Sequence, residues 1–176
     1  MKRKPNIAIN KVRTGTGDTG TTYLREPGLP KSDALVDFVG DLDEANAALG
    51  AASNEAHCIS ALQATLFTLG AGAHTTDPER FSQIEHRLEE SLTTIEQWIE
   101  DTSTPLAPLE GFIYADPDTA PLMLARAIVR RAERSAVKAD QQWAIPVLNA
   151  MSDLLFALSW QKASSAAKPI PQWTGI

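Results

Sequence analysis

From about residue 31 onward, apolar residues recur at helical spacing in five long segments, and this periodicity constrains the fold more than any other feature. The predicted helices cover residues 32–54, 57–74, 78–101, 120–138 and 146–163. Ser32 and Asp33 are good N-cap residues for the first helix, and Pro146 suits the first turn of the fifth. Helices of this length with short connections pack as an antiparallel bundle. We therefore predict an all-α fold, a five-helix bundle.

The segments before and after the predicted helices are too short to form a second domain. Residues 1–31 are rich in glycine, threonine and proline and have no helical period, so we expect an extended N-terminal segment. Residues 164–176 contain two prolines and should form an extended tail. A length of 176 residues with 43% hydrophobic content is enough for one core. We predict a single domain over residues 1–176.

Charge and hydropathy exclude several classes of function. The net charge of -6 argues against general nucleic-acid binding, which needs a basic surface to displace counterions. No run approaches 18 uninterrupted apolar residues, and no apolar signal-peptide core follows the basic start of the sequence. The single cysteine, Cys58, cannot form an internal disulfide and is interpreted as a small core residue. We expect a soluble, cytoplasmic protein.

The fourth predicted helix carries an unusual run of arginines, from Arg126 to Arg134. At 3.6 residues per turn, Arg126, Arg130, Glu133 and Arg134 share one face. Guanidinium groups are always charged and bind phosphate oxygens two at a time, so this face suits a small polyphosphate. The alternative is a solvated helix face in which Glu133 pairs with an arginine.

Polar side chains also interrupt the apolar faces of two other helices. Asp43 lies on or beside the apolar stripe of the first helix, with Asn46 one turn further on. Asn149 and Asp153 share a face of the fifth helix with Ser152 and Phe156. A buried carboxylate needs a partner, and Arg126 of this subunit or of a neighbour is the natural complement. Each polar group alone could be a structural cap or make an inter-helix hydrogen bond, but three helices directing them inward favour a site.

A glycine- and threonine-rich stretch spans residues 14–22 and contains the spacing Gly15-x-Gly17-x-x-Gly20. A dinucleotide fingerprint requires a helix at the third glycine, whereas prolines and a glycine follow here. A Walker loop is excluded because no Gly-Lys-Ser/Thr follows. The stretch remains a loop whose N–H groups and hydroxyls can wrap phosphates, with Asp18 able to reach Mg²⁺ or a ribose. The alternative is a passive tail.

Several motifs, in this order and spacing, resemble the PduO-type ATP:cob(I)alamin adenosyltransferases. They are Thr14-x-x-Gly-Asp-x-Gly-x-Thr22, Lys31-Ser-Asp33, Val39-Gly-x-Leu-Asp-Glu-x-Asn46, Arg126-x-x-x-Arg-Arg-Ala-Glu-Arg134 and Leu148-Asn-x-x-Ser-Asp-x-Leu-Phe156. The resemblance covers residues 12–160. It implies a five-helix bundle that assembles as a homotrimer, with ATP and a corrinoid bound between neighbouring subunits.

The resemblance also implies roles for individual residues. Asp43 and Arg126 correspond to an inter-subunit salt bridge beside the corrin. Arg130 and Phe112 are the implied catalytic residues, because Arg130 would stabilise the leaving triphosphate and Phe112 would displace the lower axial base of cobalamin. No metal ligands are assigned. The implied ATP-binding residues are Thr14, Gly15, Thr16, Gly17, Asp18, Gly20, Thr22, Lys31, Arg130, Glu133, Arg134 and Asn149.

The implied reaction is attack of Co(I) on the 5′ carbon of ATP, with Mg²⁺ bound and triphosphate leaving. It would yield adenosylcobalamin without a protein nucleophile. Candidate protein partners are a cobalamin reductase or an adenosylcobalamin-dependent enzyme. The alternative is a non-catalytic ATP- or corrinoid-binding relative with a regulatory or carrier role. That alternative is favoured by the sequence after Phe112, where Ile113-Tyr-Ala-Asp-Pro117 stands in place of the family's Pro-Gly-Gly turn.

Overall fold

A computed structural model describes residues 15, 17–25, 27–52, 56–109, 111–165, 172–173 and 175. Five α-helices dominate them, as the sequence predicts, and the all-α fold class is confirmed. Four two-residue strands also occur in the described part of the chain: β1 Thr21–Thr22, β2 Leu29–Pro30, β3 Phe112–Ile113 and β4 Gln172–Trp173. The helices are α1 Ala34–Ala51, α2 Ile59–His74, α3 Pro78–Ser103, α4 Ala120–Lys138 and α5 Ile145–Ser164.

Side-chain caps explain two of the helix starts. The Asp33 carboxylate accepts a hydrogen bond from the N–H of Leu35 at 2.9 Å, as expected for the N-cap of α1. Asp77 caps α3 in the same way, and Pro78 occupies its first turn. The sequence placed the end of α1 at residue 54, whereas the helix ends at Ala51. Residues 53–55 lie outside the described part of the chain.

Helix α5 buries more side chains than any other helix in the described part of the chain. It packs against α3 and α4, while α1 packs against α4 and α2. By length and composition the segment Gln142–Ser164 could also cross a membrane, but 61% of its most apolar 18-residue stretch is buried inside the bundle. Burying each large apolar side chain contributes about 1.5–3 kcal/mol, so α5 stabilises the bundle by packing. Fully buried core residues include Phe38, Leu62, Leu69, Leu148, Met151 and Leu155.

A short 3₁₀ turn, Gln142–Ala144, leads into α5 and brings Trp143 against α2. The indole lies so close to Gly72 that an added Cβ would be 2.5 Å from the ring. Phe81 of α3 meets the same indole edge-on, with ring centroids 5.3 Å apart. The start of α5 is therefore fixed to α2 and α3 by one tryptophan.

The non-helical segments form two small antiparallel pairings. Strands β1 and β2 pair with Thr21 opposite Pro30, so the described part of the N-terminal segment is a short hairpin. Strand β4 pairs with β3, with Phe112 opposite Trp173. Of the predicted extended tail, Gln172 and Trp173 thus pair with the loop between α3 and α4.

Candidate functional site

Three of the α4 arginines form one surface, which we call the arginine face: Arg126, Arg130 and Arg134. Helix α4 buries Ala125, Val129 and Ala132 in the bundle, so positions 130 and 134 are left exposed, and Arg126 is half-buried. The Arg134 guanidinium donates a hydrogen bond to the carbonyl of Arg130 at 2.9 Å. Glu133, predicted on the same face, is half-buried. Residues spaced by four positions give a row of guanidinium groups one turn apart.

Arg126 is held against an aromatic ring of α5. Its guanidinium carbon lies 5.0 Å from the centroid of the Phe156 ring, a cation–π contact. Its Nε is buried and has no hydrogen-bond partner among the described residues. Burial lowers the pKa of Arg126, the positive charge of Arg130 lowers it further, and Asp153 acts in the opposite direction. The Arg126 guanidinium would therefore be stabilised by an additional carboxylate.

Helix α5 contributes two polar side chains beside the arginine face. The Asn149 amide donates to the Asp153 carboxylate at 3.5 Å, and both residues are exposed. The prediction that these side chains and Arg130 point inward is wrong for the single subunit. Helix α4 packs against α5, and Asn149, Asp153 and Arg130 remain exposed. The arginine face is therefore exposed to solvent, and its guanidinium groups suit an anionic ligand.

Asp43 lies on a different face, between α1 and α2. Its carboxylate is exposed and borders a cavity of about 430 Å³ that is otherwise mainly apolar, with Leu24, Val39 and Phe67 among its walls. Asp43 makes no ion pair with any residue that the structure describes, so the inward placement expected from the helical period is wrong within one subunit. The pairing of Asp43 with Arg126 of a neighbouring subunit stays a prediction.

Asn46, one turn after Asp43, ties α1 to α2. The Gln63 amide donates to the backbone carbonyl of Asn46 at 3.1 Å, and the Asn46 amide donates to the carbonyl of Gln63 at 3.4 Å. The structural alternative considered for Asn46 therefore holds. Asn46 supports the helix pair from which Asp43 projects.

The glycine-rich loop packs over Lys31. Gly15 and Gly20 have φ values of 74° and 82°, in the left-handed region that favours glycine. The Lys31 ammonium lies above Gly17, where an added Cβ would be 3.0 Å from Nζ. The Lys31 N–H donates to the Gly20 carbonyl at 2.8 Å. The loop and Lys31 thus form one unit, in which N–H groups and an ammonium can meet an anion.

The structure describes only some of the other predicted loop residues. Asp18 is exposed in the turn and Thr22 lies in β1. Thr14 and Thr16 lie outside the described residues. Over the described ranges, no group of three or more His, Cys, Asp or Glu side chains could hold a metal ion.

Phe112 projects from β3 into solvent, with 75% of its surface exposed. The Trp173 ring lies 6.0 Å from it, centroid to centroid, because β4 pairs with β3. Tyr114 and Leu124 are also exposed. The exposed Phe112 ring and its contact with Trp173 leave apolar surface in solvent, which is typical of a binding site.

A second charged cluster, between α1 and α4, was missed by the sequence analysis. Arg131 binds Asp41 and Glu44, and the Ser135 hydroxyl donates to Asp41. The sequence does contain the two polar pairs, Asp41 with Glu44 on α1 and Arg131 with Ser135 on α4, each spaced about one helical turn apart. The cluster could have been found only by knowing which helices pack together.

The chain is similar to known proteins over most of its length. The family model described as cobalamin adenosyltransferase matches residues 12–161. A corrinoid adenosyltransferase from Mycobacterium tuberculosis is 35% identical over 171 residues, which cover 87% of this chain and 89% of that protein. A human corrinoid adenosyltransferase is 30% identical over 171 residues, covering 86% of this chain and 68% of that protein.

A solved structure has the same fold. It is a variant of a PduO-type ATP:corrinoid adenosyltransferase from Lactobacillus reuteri, complexed with cobalamin and ATP. The match has a TM-score of 0.80 and 25% sequence identity, and it covers 94% of this chain and 100% of that one.

Proposed function

Since the chain belongs to the cobalamin adenosyltransferase family, we propose that it transfers the 5′-deoxyadenosyl group of ATP to the cobalt of reduced cobalamin. The products are adenosylcobalamin and triphosphate. The observation that carries this proposal is the arginine face, where guanidinium groups recur one turn apart beside Asn149. Such a row suits a chain of phosphates better than it suits a single anion.

ATP is bound from two sides. Arg130 and Arg134 contact the triphosphate, and Asn149 and Glu133 complete this half of the nucleotide site. The loop of residues 14–22 and Lys31 supply N–H groups, hydroxyls and an ammonium to the phosphates. A bound Mg²⁺ would neutralise part of the triphosphate's charge, and Asp18 of the loop would be the carboxylate that holds it.

The reaction needs positioning and charge stabilisation more than it needs a protein nucleophile. The Co(I) lone pair attacks the 5′ carbon, the C–O bond to the triphosphate breaks, and the leaving group carries away the bond's electrons. Arg130 stabilises the negative charge that develops on the triphosphate. Phe112 occupies the lower face of the corrin, where its exposed ring excludes the axial base and water.

The complete site forms in a homotrimer. Asp43 projects from the α1–α2 side, whereas Arg126 rests on Phe156 of α5, so the two residues can pair only if two copies meet. The buried Nε of Arg126, which has no partner among the described residues of its own subunit, supports this arrangement. The trimer acts in the cytoplasm, where a cobalamin reductase supplies its reduced substrate and an adenosylcobalamin-dependent enzyme receives its product.

Anaerobic turnover tests the proposal. Chemically reduced cobalamin, ATP and Mg²⁺ are mixed with the protein, and the absorbance of the cobalt–carbon product is followed. The full chain should give multiple turnovers and Phe112→Ala should be much slower. ATP binding without any turnover in the full chain would instead identify the non-catalytic relative.

A further inference from the structure

A cluster of polar side chains fastens α4 to α1, and the Asp41 carboxylate is its centre. One carboxylate oxygen of Asp41 accepts from Nε of Arg131 at 2.8 Å, and the other accepts from the Ser135 hydroxyl. Arg131 also donates through Nη2 to Glu44. The Asp41 side chain is only 15% exposed, whereas Glu44 is 61% exposed. Asp41 is therefore the well-buried anion of the cluster.

The contacts of Asp41 fix the position of α4 in two respects. Arg131 and Ser135 are four residues apart, so one carboxylate holds two successive turns of α4. Two contacts along the helix oppose its sliding, and both lie on its α1 side, so they also oppose its rotation. Hydrogen bonds to an ionised carboxylate are shorter and stronger than those between neutral groups, which makes this attachment rigid.

Each residue held by Asp41 is next to a member of the arginine face. Arg130 precedes Arg131, and Arg134 precedes Ser135. On α1, Asp43 follows Asp41 by two residues. The orientation of α4 on α1 therefore decides where the Arg130 and Arg134 guanidinium groups point. It also decides where they lie relative to Asp43.

We propose that Asp41 is a positioning residue for ATP, acting through Arg131 and Ser135 on the Arg130 and Arg134 guanidinium groups. This inference rests on the proposed binding of ATP by the arginine face. Asp41 itself contacts no ligand. It holds α4 in the rotation at which the two guanidinium groups reach the triphosphate together.

The test is a mutant cycle on ATP binding, measured by calorimetry with Mg²⁺ on the full chain. Asp41→Asn keeps the shape of the side chain but loses the charge, so ATP affinity should fall about tenfold, within the range seen for coupled neighbours. Asp37→Asn is the matched control, because it removes the same charge one turn earlier on α1, where the carboxylate is exposed. Its affinity should equal that of the unchanged chain.

The cycle with Arg130 separates positioning from a merely structural role. If Asp41 acts by orienting Arg130 and Arg134, then Asp41→Asn should lower ATP affinity clearly less in the Arg130→Ala background than in the unchanged chain. Fully additive losses would overturn the proposal, and so would unchanged affinity in Asp41→Asn. If Asp41→Asn fails to fold, Ser135→Ala is the substitute, because it removes one of the two contacts of Asp41. It should lower ATP affinity about twofold to threefold. An unchanged ATP affinity in Ser135→Ala would contradict the inference. If the unchanged chain binds no ATP, the proposed function is overturned as well. If the unchanged chain binds ATP and the variants bind it with the same affinity, only this inference is overturned.

Discussion

Arg126 of α4 lies over the ring of Phe156 of α5, with the guanidinium carbon 5.0 Å from the ring centroid. The ring holds one face of the Arg126 guanidinium, while Nε is buried and has no hydrogen-bond partner in the part of the chain that the structure describes. The contact keeps a charged group at the surface of the bundle in a defined orientation. In the proposed trimer it presents Arg126 to Asp43 of the neighbouring subunit.

Replacing Phe156 tests the importance of this contact. Phe156→Leu keeps the apolar packing but removes the aromatic face, whose interaction with a cation contributes about 0.5–2 kcal/mol. Corrinoid affinity should therefore fall between about twofold and thirtyfold when measured by fluorescence quenching. Phe156→Tyr retains the ring and should bind nearly as the unchanged chain does. Equal binding by Phe156→Leu would show that Arg126 does not depend on the ring.

Removing the charge of Asp43 should weaken assembly or corrinoid binding. If the pair is well buried between subunits, Asp43→Asn leaves Arg126 uncompensated at a cost of roughly 3–5 kcal/mol. Light scattering at micromolar concentration should then show smaller species, or fluorescence quenching should show weaker corrinoid binding. The exchanged pair, Asp43→Arg with Arg126→Asp, should recover part of the loss. An unchanged chain that is a monomer under these conditions would rule out the inter-subunit pair.

The helices could be predicted from the sequence because burial of one helix face makes apolar residues recur every three to four positions. The bounds of α4, Ala120–Lys138, coincide with the prediction. The period does not determine the rotation of one helix against another, so Asp43 was expected to face inward although it is exposed. For the same reason Arg131 was not linked to Asp41.

The pairing of strands that are distant in the sequence could not be predicted from local residue patterns either. Strands β3 and β4 are only two residues long, too short to show an alternation of apolar and polar residues. Their pairing nevertheless brings Trp173 to Phe112. The individual roles of the site residues came from the family resemblance and stay predictions.

The geometry of Arg130 should matter as much as its charge. Arg130→Lys keeps a cation but loses the planar fork that binds two phosphate oxygens. ATP affinity by calorimetry should fall, and turnover should slow more than binding weakens. If Arg130→Ala binds ATP as tightly as the unchanged chain, Arg130 is not part of the site, and Arg134 becomes the candidate.

The glycine-rich loop should be protected by its ligand. Backbone N–H groups in residues 14–22 gain charged partners when phosphate is bound, so ATP with Mg²⁺ should slow amide exchange and proteolysis there. Deleting the first 22 residues should reduce ATP affinity in the assembled protein. Unchanged binding by the truncated protein would refute the phosphate-wrapping role of the loop.

The loop between Phe112 and α4 should be sensitive to acid through Asp116. Its carboxylate accepts from the N–H and hydroxyl of Thr119 and from the N–H of Asp118, each at about 3 Å, and these bonds lower the pKa of Asp116. Because the folded-state pKa is lowered, the carboxylate stabilises the fold above its ordinary value of 3.8 and loses that effect as pH falls through the lowered value.

Carbon NMR of the Asp116 carboxyl group measures this directly. The titration midpoint should lie below 3.8. Thr119→Val removes the hydroxyl donor and should move the midpoint upward. A midpoint at or above 3.8 in the unchanged chain would mean that the turn does not form in solution.

The central claim is that this chain moves the adenosyl carbon of ATP to cobalt, and isotopic labelling tests it most directly. ATP carrying ¹³C at the 5′ position is incubated anaerobically with reduced cobalamin, Mg²⁺ and the protein. We expect the label to appear as a cobalt-bound methylene in carbon NMR, with one triphosphate released for each adenosylcobalamin formed. Release of ADP or pyrophosphate, or label that stays in ATP while ATP and cobalamin are both bound, would contradict the account.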